Sequence, residues 1–509
     1  MWNRLGAALG ALTIAACDKS GPDPTLPVHG LHSGEPEWHA CPPEWGGAGV
    51  ECLRAQVPLD HSAPEEPPIV ILARRIQTKN SVGQVWLLDG GPGFAGHSFL
   101  EPAFVQLFQS SGLDVYIPSH RGTFDDSLLS CKEETTSESP GGARITPDEW
   151  GTCLATLKEK WGEGLAQMSA KAGAQDVAYL MSLHPTERRL VYGGSYGTLW
   201  AQRLFEVEDL TLHGAWLDSV VDLEGSLERV DAHADGAVRN LLSACESIEA
   251  CAALFVQAPL EAAAEVIAAY DAGEGCGQES WNRNEFQGWI HSLQSGAPQN
   301  WPLIAAAFAR ASRCDAGDEE ALSHASLLFA ERLSQQDAQP SGVPSGYSPE
   351  LNRTILYREL YRFDVSDEER DEFERTALAH ANNWPTTSSE ASQFGSDYRD
   401  PDPFVERELD FPIYLLSGAL DHLDPPSWAA STQARYASSQ LISAPWAGHT
   451  VLKYLGTKEG DCGRDLLNQF LRGDEFDSTC ASAQPAPSFS GDDPAVSDLA
   501  KLWFNDALF

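Results

Sequence analysis

The 509-residue chain is 42% hydrophobic, enough to bury a large core and long enough for two or three folding units. Against 34 Lys and Arg stand 74 Asp and Glu, a formal net charge of -40; such a chain would repel a phosphate backbone, so nucleic acid is excluded as an expected partner. The same field favours cationic substrates such as free peptide N-termini.

The chain opens with one Arg, an apolar run from Leu5 to Ala16 and then Cys17. That run is too short to span a bilayer and reads as the apolar part of an export signal. Ile14-Ala15-Ala16-Cys17 is similar to a bacterial lipobox, which makes residues 1–17 a lipoprotein-type leader ending at a lipidated Cys17; a plain signal peptide is the alternative. The expected location is the periplasm or surface of a bacterial cell, or the medium, with the lipid anchor as the only membrane contact. Of the 11 Cys, setting Cys17 aside leaves Cys41, Cys52, Cys131, Cys153, Cys245, Cys251, Cys276, Cys314, Cys462 and Cys480. Their order suggests sequential bridges, 41 to 52, 131 to 153, 245 to 251, 276 to 314 and 462 to 480, although spacing alone leaves the connectivity open. Disulfides in this number imply an oxidising compartment. With no C-x-x-C and no H-E-x-x-H, no metal is expected, and no cofactor either.

Residues 18–40, rich in Pro, Gly and Ser, suit a tether. CLRAQVPLDH and PPIVILARRIQ suggest an antiparallel strand pair. VWLLDGGPG and LDVYIPSHRG are short apolar runs, followed by an acidic loop and a helical stretch from Ser169 to Leu183. LVYGGS then reads as a strand, TLWAQRLFE as a helix on its heels, and LHGAWLDSVVD as a further strand. Short apolar runs alternating with helical spacing are the sign of a parallel sheet with crossover helices. From about 223 to 408 that alternation gives way to Ala-, Glu- and Leu-rich helical spacing, read as an inserted helical cap. The sheet resumes with FPIYLLSGALD and SQLISAPWAGH. The expected units are therefore a core at 41–222 and 409–482, the cap at 223–408, and a C-terminal linker and short helix at 483–509.

VYGGSYGTLW carries the sharpest signal. Gly193-Gly194-Ser195-Tyr196-Gly197 lies between a strand and a helix, where a serine can be raised above the sheet edge if the residues two positions either side are glycines. Such a serine needs a histidine to take its proton and a carboxylate to orient that histidine. The chain order Ser, acid, His points to Asp421, just after IYLLSG, and His449, after LISAP, with Gly448 relieving crowding. Asp424 is the alternative acid; His422 reads as an ordinary loop residue. An oxyanion site needs preorganised N–H donors. Tyr196, the residue after the serine, offers one, and the loop at Gly90 and Gly91 offers the other. Gly91 to Gly96 also matches G-x-G-x-x-G, but Pro92 inside it and the missing helix and second strand argue against a dinucleotide site.

DGGPG, DVYIPSHRGT, GGSYGT, LDSVVD, SGALDHLDPP and AGH, in that order, resemble the α/β-hydrolase family of proline iminopeptidases and secreted tripeptidyl aminopeptidases, over about Cys41 to Cys480. The resemblance implies an α/β-hydrolase fold with a helical cap after the sixth strand, and serine-dependent removal of residues from peptides with free N-termini, the amine being held by acids of the cap. It maps the nucleophile to Ser195, the acid to Asp421, the base to His449 and the oxyanion loop to Gly90 and Gly91. Asp89 stands where iminopeptidases commonly carry His, and Asp424 where secreted members often have Thr; the second departure keeps the choice between Asp421 and Asp424 open. Arg121 in HRGT reads as a structural brace beside the serine. An esterase or other small-molecule hydrolase is the alternative activity, and an inactive surface binding protein is the alternative of another class.

Overall fold

A computed structural model describes residues 26–506, apart from 125–126, 132–138, 140–144, 278, 339–345 and 381–382. The leader, Cys17 and residues 18–25 of the expected tether lie outside the described residues. Ten strands form one sheet: β1 (Val28–His29), β2 (His39–Ala40), β3 (Glu51–Val57), β4 (Ile69–Ile76), β5 (Gln84–Leu88), β6 (Asp114–Pro118), β7 (Arg189–Gly194), β8 (Gly214–Asp218), β9 (Ile413–Gly418) and β10 (Ser439–Ala444). The order across the sheet is β1-β3-β4-β6-β5-β7-β8-β9-β10, with β2 paired to β3 off that path. β4 is antiparallel to both neighbours, and every pairing from β6 through β10 is parallel. This is the α/β-hydrolase fold: eight main strands beginning at β3, the second reversed, the third and fourth exchanged in space.

The tether is shorter than its composition suggests. Val28 already pairs with Arg54, His39 pairs with Cys52, and the Arg54 guanidinium donates to the Leu26 carbonyl at 2.9 Å. Edge-strand pairing satisfies backbone groups that a free linker would leave to water.

The apolar runs are continuous because the sheet is covered on both faces. In β5, Trp86 and Leu88 point into one core with Leu154, Val177 and Trp200, while Val85 and Leu87 point into the other with Phe108, Leu466 and Phe470. All four β5 side chains are fully buried. Helices Trp150–Trp161, Ala170–Ser182 and Tyr196–Leu204 cover the first face; Pro102–Gln109 and Cys462–Arg472 cover the second.

Between β8 and β9 the chain is helical. Helices Val230–Cys245, Pro259–Asp271, Arg283–Gln294 and Trp301–Arg313 enclose a separate core around Leu242, Phe286, Trp289 and Phe308. Later residues of the insertion, including Leu351, Ile355 and Tyr357, instead join the core of the sheet. The C-terminal helix Pro494–Phe504 is no loose appendage: Val496, Ala500, Trp503 and Phe504 are buried in the cap core. Five disulfides join the cysteines in sequence order, Cys41–Cys52, Cys131–Cys153, Cys245–Cys251, Cys276–Cys314 and Cys462–Cys480. No helix of the described residues is long and apolar enough to cross a membrane.

Candidate active site

Ser195 stands between β7 and helix Tyr196–Leu204 with φ 54° and ψ -126°, a conformation that costs a non-glycine residue on the order of 1–3 kcal/mol and is held only by its surroundings. Those surroundings are identifiable. A Cβ on Gly193 would lie 2.7 Å from the Gly197 carbonyl carbon, and one on Gly197 would run into the Leu88 carbonyl group. The turn therefore closes only with glycine at both places. The Ser195 N–H donates to the Asp218 carbonyl at 2.8 Å, and the buried Thr198 hydroxyl donates to the Ser195 carbonyl at 2.7 Å while accepting from the Val221 N–H at 2.8 Å.

Asp421 and His449 follow β9 and β10, the two parallel strands beyond β8. Gly418, at the end of β9, lets the two loops touch: a Cβ there would lie 2.7 Å from the Ala447 carbonyl carbon, and the Leu420 N–H donates to the Ala447 carbonyl at 3.0 Å. His449 Nδ1 is 3.1 and 3.2 Å from the two oxygens of Asp421. Its side-chain hydrogen bonds among the described residues run to that carboxylate, which leaves Nε2 free. Asp421 also accepts the Leu423 and Asp424 N–H groups, both at 3.0 Å.

Asp424 is buried beside the same imidazole, 3.4 Å from Nδ1, and its Oδ2 has no hydrogen-bond partner. The two carboxyls are pushed in opposite directions. Burial alone would raise Asp421, but the charge and hydrogen bond of His449, the Asp424 N–H and the Ser219 hydroxyl hold it below the usual carboxylate range. Burial, with the charges of Asp421 and Asp218, pushes Asp424 up to about 8, against the opposing pull of His449 and the Ser195 hydroxyl. Asp421 is thus the ionised partner and Asp424 the carboxyl that retains a proton. Burial would pull His449 down, but Asp421, Asp424 and Asp218 outweigh it and hold the imidazolium up to about 9.

Residues that sequence reasoning missed fix the histidine loop. The Asp218 carboxylate accepts the Val451 and Leu452 N–H groups at 2.7 and 3.2 Å, and the Ser219 hydroxyl accepts the Thr450 N–H at 2.8 Å. Ser219 and Thr450 both have left-handed backbone, φ 57° and 61°; a β-branched residue in that region is a local strain that these bonds stabilise. The only signal in the sequence was LDS at the end of the strand beside the serine. The cap grips the acid loop: Asn240 donates to the Ala419 carbonyl and His233 Nδ1 to the Leu423 carbonyl, each at 2.8 Å. His422 lies beside both His291 and His449, ring centroids 5.7 and 6.3 Å away, and burial, against the opposing charge of Asp421, pulls it down to about 4, so it is neutral.

In the glycine loop after β5 the N–H groups are not equivalent. Gly90 packs against Ser195, but its N–H already donates to Asp89 Oδ1 at 2.8 Å. Gly91 N–H and Tyr196 N–H have no such partner among the described residues, Tyr196 because it opens a helix whose first N–H groups have no intrahelical acceptor. Asp89 is the buried anchor of this loop, also accepting from the Gly96 N–H at 3.0 Å and the Ser98 hydroxyl at 2.7 Å. The cap holds the loop from above through Ser348 N–H to the Gly93 carbonyl and Asn352 to the Pro92 carbonyl, both at 2.9 Å. Arg121 is fully buried, bonded to both oxygens of Asp176 and to the carbonyls of Pro58, Leu59 and Gln167. It is a brace, as HRGT suggested. Its neighbour His120 accepts from the Tyr196 hydroxyl at 3.1 Å.

Ser195 and His449 open into a cavity of about 820 Å³, within the size range of small-molecule and peptide sites. Phe94, Phe99, Phe104, Tyr192 and Leu452 form its apolar wall.

No family model matches the chain, and no curated protein matches it. Among solved structures, it aligns with a serine hydrolase from Cycloclasticus zankles at 13% identity and TM-score 0.32, over 83% of this chain and 98% of that one. An α/β hydrolase from Novosphingobium aromaticivorans aligns at 15% identity and TM-score 0.34, over 84% and 99%. An esterase from Exiguobacterium antarcticum aligns at 11% and 0.30, over 75% and 88%. The fold assignment rests on strand order and direction, not on these alignments.

Proposed function

We propose that the chain is a serine hydrolase working through an acyl-enzyme, with Ser195 as nucleophile, His449 as general base and then acid, and Asp421 as the carboxylate that orients and balances the imidazolium. Ser195 Oγ attacks the substrate carbonyl as His449 Nε2 takes its proton, and the N–H groups of Gly91 and Tyr196 receive the developing oxyanion. His449 passes the proton to the leaving group, and water, activated by the same imidazole, releases the acid. The observation that carries this reading is the strained Ser195, on a turn that only glycines permit, sharing one cavity with an imidazole held by Asp421.

For the substrate, our reading is a peptide with a free N-terminus, cleaved by an exported, lipid-anchored exopeptidase. The ordered resemblance from DGGPG to AGH supports it, as do five disulfides suited to an oxidising compartment. One observation favours an esterase or other small-molecule hydrolase as the second reading: each acid lining the cavity, Asp89, Glu101, Asp218 and Asp461, already accepts a backbone N–H. A panel of aminoacyl and tripeptidyl chromogenic amides, their N-blocked copies and nitrophenyl esters decides between them. Cleavage of free-amine amides alone, lost in Ser195→Ala, supports the exopeptidase; hydrolysis of esters alone supports the second reading.

A further inference from the structure

The glycine loop beside Ser195 is anchored at its ends by the core and in its middle by the cap. From the core, Asp89 accepts the Gly90 and Gly96 N–H groups at 2.8 and 3.0 Å, and the Ala95 carbonyl accepts from Arg74 Nη1 at 2.7 Å and from the Ser119 hydroxyl at 3.0 Å. Between those anchors runs Gly90-Gly91-Pro92-Gly93, whose glycines leave the backbone free to take many conformations. An N–H donor in such a segment is preorganised only by what holds its neighbours. Those neighbours bond to the cap. The Pro92 carbonyl accepts from Asn352 Nδ2 and the Gly93 carbonyl from the Ser348 N–H, both at 2.9 Å, and the Ala95 N–H donates to the Gly346 carbonyl at 2.8 Å. Phe94 and Tyr347 pair in an antiparallel bridge with ring centroids 4.7 Å apart. A Cβ on Gly93 would lie 2.5 Å from the Ser348 carbonyl oxygen, so loop and cap meet backbone to backbone.

The contact through Asn352, on helix Pro349–Ile355, is made by a side chain whose orientation is set from behind. Asn352 Oδ1 accepts from Arg353 Nη1 at 2.7 Å. A guanidinium only donates, so the amide oxygen faces Arg353 and the NH₂ faces the Pro92 carbonyl. Arg353 is held in turn by Glu390, through Nε at 2.7 Å and Nη2 at 3.3 Å, and the buried Glu390 also accepts from the Tyr357 hydroxyl at 2.8 Å. Proline has a locked φ, so holding the Pro92 carbonyl restrains its ring and the Gly91 peptide joined to it. We propose that Asn352 is a positioning residue for acyl transfer: the chain from Glu390 through Arg353 to Asn352 holds the Pro92 carbonyl and thereby sets where the Gly91 N–H points. The inference rests on Ser195 being the nucleophile and Gly91 an oxyanion donor, and it deepens that reading by giving the cap a part in the chemical step.

The test compares wild type, Asn352→Asp and Asn352→Ala of the full chain on a small neutral nitrophenyl ester and with a trifluoromethyl ketone, which adds to the serine as a tetrahedral oxyanion. Aspartate keeps the size and the bond to Arg353 but turns an acceptor toward the Pro92 carbonyl; alanine removes the bond. Both should lower kcat by about tenfold to a hundredfold with KM changed by no more than about twofold, since a displacement of about 1 Å is enough for the larger loss. Both should weaken the ketone by the same factor as kcat/KM, because its oxyanion uses the same donors, and both should melt as wild type does. Arg353→Met, which frees the amide to rotate, should show a smaller loss in kcat. Wild-type kcat in both Asn352 variants, a rise in KM in place of a fall in kcat, or a fall in kcat with ketone affinity unchanged would overturn the proposal. Turnover that survives Ser195→Ala would instead strike the hydrolase reading itself, so the two failures are distinguishable.

Discussion

Replacing Asp424 with asparagine should make the enzyme active at lower pH. Catalysis needs a neutral imidazole, and in the wild type the three carboxyls around His449 hold its proton up to about 9, so kcat/KM should fall as pH drops through that value. Asp424 itself is pushed up to about 8; where the imidazole titrates, it has largely become a carboxylate. A full charge 3.4 Å from Nδ1 interacts with the imidazolium by about 5 kcal/mol at an effective dielectric constant of about 20. That is an upper bound of more than three pKa units at ~1.4 kcal/mol per unit. With Asp421 and Asp218 still in place, the acid limb in Asp424→Asn should move down by about one to three units, a magnitude set by the same Coulomb estimate. The assay is kcat/KM against pH for wild type and variant on one neutral ester, with buffers at constant ionic strength. A limb that stays where it was would refute the placement of Asp424 as a charge acting on His449.

The remaining expectations concern other parts of the same machinery. Asp421→Asn should cut kcat by about 10⁴ while leaving the fold intact, because the imidazole loses the partner that fixes its tautomer; a loss no greater than that in Asp424→Asn would reverse the assignment of the two acids. Gly197→Ala drives a methyl into the Leu88 carbonyl and to within 3.0 Å of the Asp89 carbonyl oxygen. It should reduce kcat/KM by about 10² or more, since displacements of about 1 Å are enough for that loss; steady-state kinetics on a small ester would show it. Arg121→Met strands the buried Asp176 carboxylate and should destabilise the fold by about 3–5 kcal/mol, seen in denaturant unfolding. A midpoint unchanged from wild type would mean that Arg121 is not the brace of this loop.

Periodicity made the sheet legible. VWLL could be read as a buried parallel strand because each of its residues enters a core, on alternating faces, and no polar position interrupts it. The serine turn was legible because glycine is obligatory at both flanks, and the meeting of Asp421 with His449 because each follows one of two neighbouring parallel strands. What sequence could not give was direction. Nothing in DGGPG says that Asp89 captures the Gly90 N–H. Nothing in DHLD separates the two acids, which differ only in how each is solvated and bonded once folded. Asp218 and Ser219 hold the histidine loop from more than 200 residues away in sequence, a contact that no local pattern encodes. The tether at 18–40 reads too long for a related reason: a polar, Pro-containing segment reads as a linker, and pairing of Val28 and His39 onto β3 overrides local composition.

The central claim is that Ser195 is the acylated nucleophile. Treating the folded protein with a fluorophosphonate and mapping the adduct by mass spectrometry tests it directly. The account predicts one adduct per chain, on Ser195, with turnover lost in proportion and neither adduct nor turnover in Ser195→Ala of unchanged melting temperature. An adduct on another residue, or turnover that survives in Ser195→Ala, would contradict it.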